Sequence, residues 1–264
     1  MGTPEVPLGV IHGRLGLVHF FGPHALLPRI DVHAPDLPGY GSEPWPGNGD
    51  ALTLEGQAGW VADYLRTRIG RPAWLLGHSV GGAVAMLAAR MAPELTQAVI
   101  SVEGNFTLDD AFWCRRIAPM RDDEWAAEHA RMQSDPRTWL ANGGIEPTPR
   151  RLEWAQVILQ NQSAATVHAM AKAVVQETGD PAYLAAVRDV LDRGMPLHLL
   201  AGERSCSGWD VPAWARSAAA GMVVLPGVGH MMMLEAPERF CEAVSSMVLA
   251  APSQADSGNR FASA

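Results

Sequence analysis

Ser79 stands in the run Gly77-His78-Ser79-Val80-Gly81-Gly82, directly between the apolar Pro72-Ala73-Trp74-Leu75-Leu76 and a helix-forming stretch at 83–91. A Gly-x-Ser-x-Gly pattern between strand and helix places a serine on a sharp turn. The glycines are needed because strand and helix approach too closely for side chains. The serine then projects from the C-terminal end of its strand, with the next amide, that of Val80, aimed at the same point. This arrangement suits attack on a carbonyl, with an amide donor held ready for the oxyanion. An alcohol is a poor nucleophile at neutral pH, so a base must stand beside it. His230, which follows Gly227-Val228-Gly229 beyond the last expected strand, is the histidine best placed to swing over the strand ends. His78 occupies the variable position of the turn and reads as structural. His19, His24, His33, His129, His168 and His198 have no partner identifiable from sequence.

The elements that must position these groups alternate along the chain. Residues 7–11 form a short apolar run ending at His12-Gly13, and 32–37 a second strand closed by the turn cluster Pro38-Gly39-Tyr40-Gly41-Ser42. Residues 74–76 lead to the serine, 98–102 are β-branched, and 197–201 and 222–225 complete the strands. Helical spacing marks 17–27, 52–68 and 237–249, the last with Pro237 in its first turn and Glu235 and Glu238 near its positive end. Strand–helix alternation predicts an α/β fold, a doubly wound and mostly parallel sheet with ligands at the C-terminal strand edge. From 106 to 190 the spacing is helical with no convincing strand, notably over 122–133, 150–162 and 163–177. We read 106–190 as a helical cap inserted into a core made of 1–105 and 191–250. The aperiodic, Ser/Ala-rich stretch 251–264 reads as a disordered tail.

Composition excludes several classes. The chain has 264 residues, 48% hydrophobic and 18% charged, which suits one α/β domain with a large insertion. A net charge of −8 and the lack of a Lys/Arg-rich run argue against nucleic acid. Three cysteines, far apart, give no disulfide framework and read as reduced thiols of a cytoplasmic protein. No signal peptide is visible, and no apolar run reaches the ~20 residues that span a bilayer. No His/Asp/Glu cluster has metal-ligand spacing and no Gly-x-Gly-x-x-Gly follows a strand, so neither metal nor cofactor is expected.

Four motifs in order then resemble the α/β-hydrolase superfamily over residues 6–249. They are His12-Gly13, the stretch Ala34-Pro35-Asp36-Leu37-Pro38-Gly39-Tyr40-Gly41-Ser42, the turn at 77–82, and Gly229-His230 followed by Glu235-Ala236-Pro237-Glu238-Arg239-Phe240. The resemblance implies a serine hydrolase with its acid between serine and histidine in the chain. It also implies a second oxyanion amide from the loop after His12-Gly13, that of Arg14, with His12 bracing the loop. The Arg14 guanidinium is expected to face solvent, with a substrate carboxylate as its other possible neighbour. The superfamily usually has two strands before the His-Gly strand, so this sheet is expected to lack them, and the edge so left could serve a homodimer.

The acid is the informative problem. The commoner place in the superfamily follows the strand ending at Ala201-Gly202, but the chain offers Gly202-Glu203-Arg204-Ser205, with Ser205 where a carboxylate would stand. Asp210 could serve only if its loop folds back. The alternative is Glu103, straight after the apolar strand at 98–102. The resemblance extends here to members such as lactone hydrolases of the zearalenone-degrading type, which carry the acid at that site. A carboxylate entering behind a buried strand needs a partner. Orienting an imidazole is one, and a salt bridge to a cap arginine such as Arg115 is the other. Glu103 is preferred.

A serine at position 79 indicates acyl transfer rather than the alkyl-enzyme chemistry of an aspartate nucleophile. The expected substrate is a hydrophobic carboxylic ester or lactone, contacted by Gly13, Leu15, Trp113, Met170 and Met231. The same triad would serve C–C, thioester or amide cleavage. A ligand-binding protein that kept the fold without turnover is the reading from another class.

Overall fold

In a computed structural model the chain is described over residues 5–16, 18–45 and 52–250. The expected tail at 251–264 lies outside the described residues. Six strands form one all-parallel sheet, β1 Val6–Ile11, β2 Ile30–His33, β3 Ala73–His78, β4 Thr96–Val102, β5 Leu197–Gly202 and β6 Gly221–Leu225. Their order is β2-β1-β3-β4-β5-β6, so the chain runs outward one way, crosses back and continues the other way. No strand precedes Val6 among the described residues.

The central strands are buried on both faces, as a parallel sheet sandwiched by helices requires. Period-2 alternation sends Leu75, Val99 and Leu199 into one apolar cluster and Trp74, Leu76, Ile100 and Leu200 into the other. Helices α2 (Leu54–Tyr64) and α3 (Val80–Met91) cover the first face. The second carries α1 (Pro23–Leu26) and, at the end of the chain, α12 (Pro237–Ala250). Among the described residues 18–27 the helix spans only Pro23–Leu26, because Gly22 in the left-handed region and Pro23 start it late. The second strand likewise ends at His33 rather than Leu37, and the turn follows at Pro38-Gly39.

Between β4 and β5 lie α4 (Phe112–Ile117), α5 (Asp122–Ser134), α6 (Pro136–Asn142), α7 (Pro149–Gln160), α8 (Ala164–Thr178) and α9 (Pro181–Asp192). Their starts are written locally. Asp135, Thr148 and Asp180 each accept a hydrogen bond from an amide of the following helix, and each precedes a proline at the first helical position. Helix α9 packs on α3, so the last helix of the insertion belongs to the layer covering the sheet. At the far end of α8, the Glu177 carboxylate accepts the Leu54 and Glu55 amides at 2.7 and 3.2 Å, which puts a negative charge on the positive end of α2. Two short helices, α10 (Ala213–Ala218) and α11 (Met232–Glu235), complete the set.

The β3–α3 turn depends on missing side chains. A Cβ on Gly77 would stand 2.1 Å from the Gly81 carbonyl oxygen, and one on Gly81 would stand 2.4 Å from that of Ile11. Both obstacles are backbone and cannot rotate away. Gly77→Ala is therefore expected to destabilise the fold by at least about 1–3 kcal/mol, the range for overpacking. Urea unfolding of the two proteins measures this, and an unchanged midpoint would mean that the turn opens without cost.

Candidate active site

A cavity of about 780 Å³ opens over the C-terminal ends of the strands and is walled by the insertion. Ser79 lines it from the turn after β3, with φ 55° and ψ −124°, a left-handed position that a non-glycine residue adopts only under constraint. Its amide donates to the Val102 carbonyl at 3.0 Å, and its carbonyl accepts the Gly82 and Asn105 amides at 2.8 and 3.2 Å. The turn is thereby sewn to the end of β4.

Glu103 follows β4 directly and shares the unusual backbone, with φ 41°. Its side chain is 4% exposed, and each carboxylate oxygen is engaged. Oε2 meets His230 Nδ1 at 2.7 Å. Oε1 accepts the Gly202 amide at 2.8 Å and the Ser205 hydroxyl at 2.6 Å. Burial alone would raise this carboxyl. The His230 bond and charge, then Ser205 and Gly202, outweigh it and hold the group below its usual value. The segment behind it is pinned as well, Trp209 Nε1 donating to the Gly104 carbonyl at 2.8 Å and Tyr183 to that of Asn105 at 2.6 Å.

His230 lies between β6 and α11 and lines the same cavity as Ser79. Its loop is braced from several sides. Glu203 accepts the Gly227 amide at 2.7 Å, Glu235 accepts that of Gly229 at 2.8 Å, and Arg204 pairs with Glu235 at 2.5 Å. His78 Nε2 donates to the His230 carbonyl at 3.0 Å, with the two rings 4.7 Å apart. With Nδ1 donating to Glu103, Nε2 is the nitrogen left to take a proton from a hydroxyl. The arrangement can therefore orient a neutral imidazole and stabilise it once charged.

Asp210 is not in this group. It accepts from Thr107 at 2.7 Å, its amide donates to Asp110, and it stays exposed. Arg115 pairs with Asp109 rather than Glu103. Val80 and Arg14, expected to supply the oxyanion amides, both line the cavity beside Ser79, as do Gly13, Leu15, Trp113 and Met231. Met170 does not. Helix α8 turns it toward α2, where it is buried in the main apolar cluster with its sulfur 3.9 Å from the Gln57 amide nitrogen. The Arg14 side chain also departs from expectation, because Nη1 is covered rather than solvated. Two supporting residues were hidden in the sequence. Ser205 was visible only as the residue standing where an acid was wanted, and nothing in the spacing announced the His78 contact.

The loop after β1 is fixed by His12, whose Nδ1 donates to the Gly13 carbonyl at 2.8 Å and whose Nε2 accepts the Leu37 amide at 3.0 Å. Tyr40 packs on that ring and donates to the Arg14 carbonyl at 3.0 Å. No group of three or more His, Cys, Asp or Glu residues that could hold a metal occurs among the described residues. No helix there is long and apolar enough to cross a membrane.

The pattern of the alpha/beta hydrolase family matches residues 10–243. Lipase LipV of Mycobacterium tuberculosis is 28% identical over 245 residues, covering 91% of this chain and 75% of that protein. Among solved structures, a carboxylesterase of the thaumarchaeon Nitrososphaera gargenis superposes with a TM-score of 0.72 at 17% identity, over 93% of this chain and 90% of that one. A point mutant of the N-acyl homoserine lactonase AidH, complexed with N-hexanoyl homoserine, superposes with a TM-score of 0.67 at 19% identity, over 94% of this chain and 90% of that one.

Burial holds His12 near pKa 4, and burial with the neighbouring His230 charge holds His78 near 3. Both are ordinary imidazoles near 6.5 once the chain unfolds. Between those values the unfolded chain binds more protons, so stability is lost as pH falls. Glu103, depressed in the fold, adds a loss in the same direction at lower pH. Stability from urea unfolding is expected to drop by on the order of 3 kcal/mol between pH 7 and pH 5, mainly from the two histidines. A flat profile would mean that neither imidazole is sealed.

Proposed function

We propose that this chain, which belongs to the alpha/beta hydrolase family, is a serine hydrolase of carboxylic esters or lactones. The reading rests above all on the 2.7 Å contact that the buried Glu103 makes with His230, which lines the same cavity as Ser79. In this mechanism His230 Nε2 takes the Ser79 proton as Oγ attacks the carbonyl carbon. The Val80 and Arg14 amides hold the oxyanion, and the imidazolium is stabilised by Glu103. Collapse of the intermediate expels the alcohol, which takes the proton from His230 and leaves an acyl group on Ser79. Water, activated by the same imidazole, then releases the acid. A third of the His230 side chain is exposed, so water can reach it for this second half.

The similarity to a lipase supports an ester, and the apolar stretch of wall around Phe20, Met132, Ile145, Ile158 and Met231 supports an acyl chain in the cavity. Treatment with a fluorophosphonate is expected to give one adduct, on Ser79 by peptide mapping, and none in Ser79→Ala or His230→Ala. Absence of the adduct in the unmodified chain would sink the reading and favour ligand binding without turnover.

The acid assignment has its own test. Glu103→Ala is expected to lower kcat on a simple ester by about 10³–10⁴, as loss of a histidine-orienting carboxylate does, while Asp210→Ala leaves it nearly unchanged. The reverse ranking would transfer the role to Asp210.

A further inference from the structure

We propose that Arg14 recognises an anionic group on the substrate, so that the preferred substrate is an ester or lactone bearing a carboxylate a few bonds from its scissile carbonyl. This deepens the serine-hydrolase reading and rests on it. Arg14 follows Gly13, where an added Cβ would lie 3.1 Å from Ser79 Cβ, so its backbone adjoins the nucleophile. The residue lines the cavity and keeps some accessible surface there, yet Nη1 is covered and has no acceptor among the described residues. A sheltered guanidinium with an idle donor is costly unless something charged or polar completes it.

The groups around it do not. Tyr40 spends its hydroxyl on the Arg14 carbonyl. Burial raises the Cys114 thiol, which stays uncharged. Glu128 is paired with Arg116. Of the cavity's remaining carboxylates, Asp110 accepts the Phe106, Thr107 and Asp210 amides, and Asp135 caps α6 through the Thr138 amide. His129, which feels the Arg14 charge, is pushed toward its neutral form by burial and by that charge. Arg131 also lines the cavity and adds positive rather than negative charge. Arg14 and Arg131 are thus the lining arginines without a carboxylate partner among the described residues, and of the two it is Arg14 that adjoins the nucleophile turn.

Its direction fits a second contact point rather than the oxyanion. The guanidinium carbon lies 5.8 Å from the Trp113 ring centroid on α4, and Arg116 lies over the same ring at 4.9 Å. The head group is therefore held on the insertion side of the cavity, while the backbone just before it, at Gly13, adjoins the nucleophile. A planar guanidinium against an aromatic ring, with N–H groups free in its plane, suits a carboxylate.

The test compares monomethyl adipate with methyl hexanoate, matched in length and different in one terminal charge, by methanol release. The intact chain is expected to favour the adipate ester in kcat/KM. That ratio should fall at least about tenfold in Arg14→Gln, the size of one charged hydrogen bond, chiefly through KM. Arg14→Lys should recover part of it. A ratio at or below one, or one unchanged in Arg14→Gln, would overturn the proposal. Calorimetry of free adipate with Ser79→Ala, and with Ser79→Ala carrying Arg14→Gln, reads the same contact without turnover. Binding to the first and loss in the second support it, and no binding to the first refutes it. If neither ester is cleaved and Ser79 takes no fluorophosphonate, the hydrolase reading fails, and the adipate titration alone decides the role of Arg14.

Discussion

The buried carboxylate of Glu103 is the constraint around which the rest of the site is arranged. A carboxylate leaving water must find donors for both oxygens or it protonates. Here it finds three, on two different segments, the His230 ring on one and Gly202 and Ser205 on the other. Meeting all three forces the chain into a left-handed turn straight after β4. The Glu103 amide also donates to the Leu200 carbonyl at 3.0 Å, so the turn is held to β5 by backbone as well as side chain. β4 must lie beside β5 for any of this to close, which the pairing of Val102 with Leu200 provides.

The segment Gly202-Glu203-Arg204-Ser205, which carries no acid at its end, is not an empty version of the usual site. Its four residues divide the support of the other two segments. Gly202 and Ser205 hold Glu103, while Glu203 and Arg204 hold the loop that carries His230. The end of β5 thus bridges the Glu103 carboxylate and the loop that carries His230. A serine is well suited to that place, since it donates a hydrogen bond to the carboxylate without adding a second negative charge.

Much of this was legible from the chain, and what was not has physical causes. The strands and the tight turn that carries Ser79 were readable because apolar runs in a two-sided sheet and backbone crowding at Gly77 and Gly81 leave local signatures. Helix starts at Pro136, Pro149 and Pro181 were written as a capping side chain followed by proline. Met170 was misread because a large apolar residue on α8 looks the same whether its face meets the cavity or α2. That choice is made by packing across the fold. Arg14 was misread for a related reason. An arginine in a loop is ordinarily solvated, and the burial of Nη1, with Trp113 of α4 beside the guanidinium, is set by packing across the fold.

Of the buried histidines, His12 and His78 stand nearest the Ser79 turn, and burial holds both neutral. His78 lies against His230, and a charge on one ring would oppose a charge on the other. Burial removes that conflict by holding His78 near 3, so above that pH it remains a neutral donor to the His230 carbonyl. His12, held near 4, keeps one nitrogen donating and the other accepting, the only protonation state that satisfies both Gly13 and Leu37. Were it to charge, the Leu37 amide would lose its acceptor and the loop that presents Arg14 would come loose.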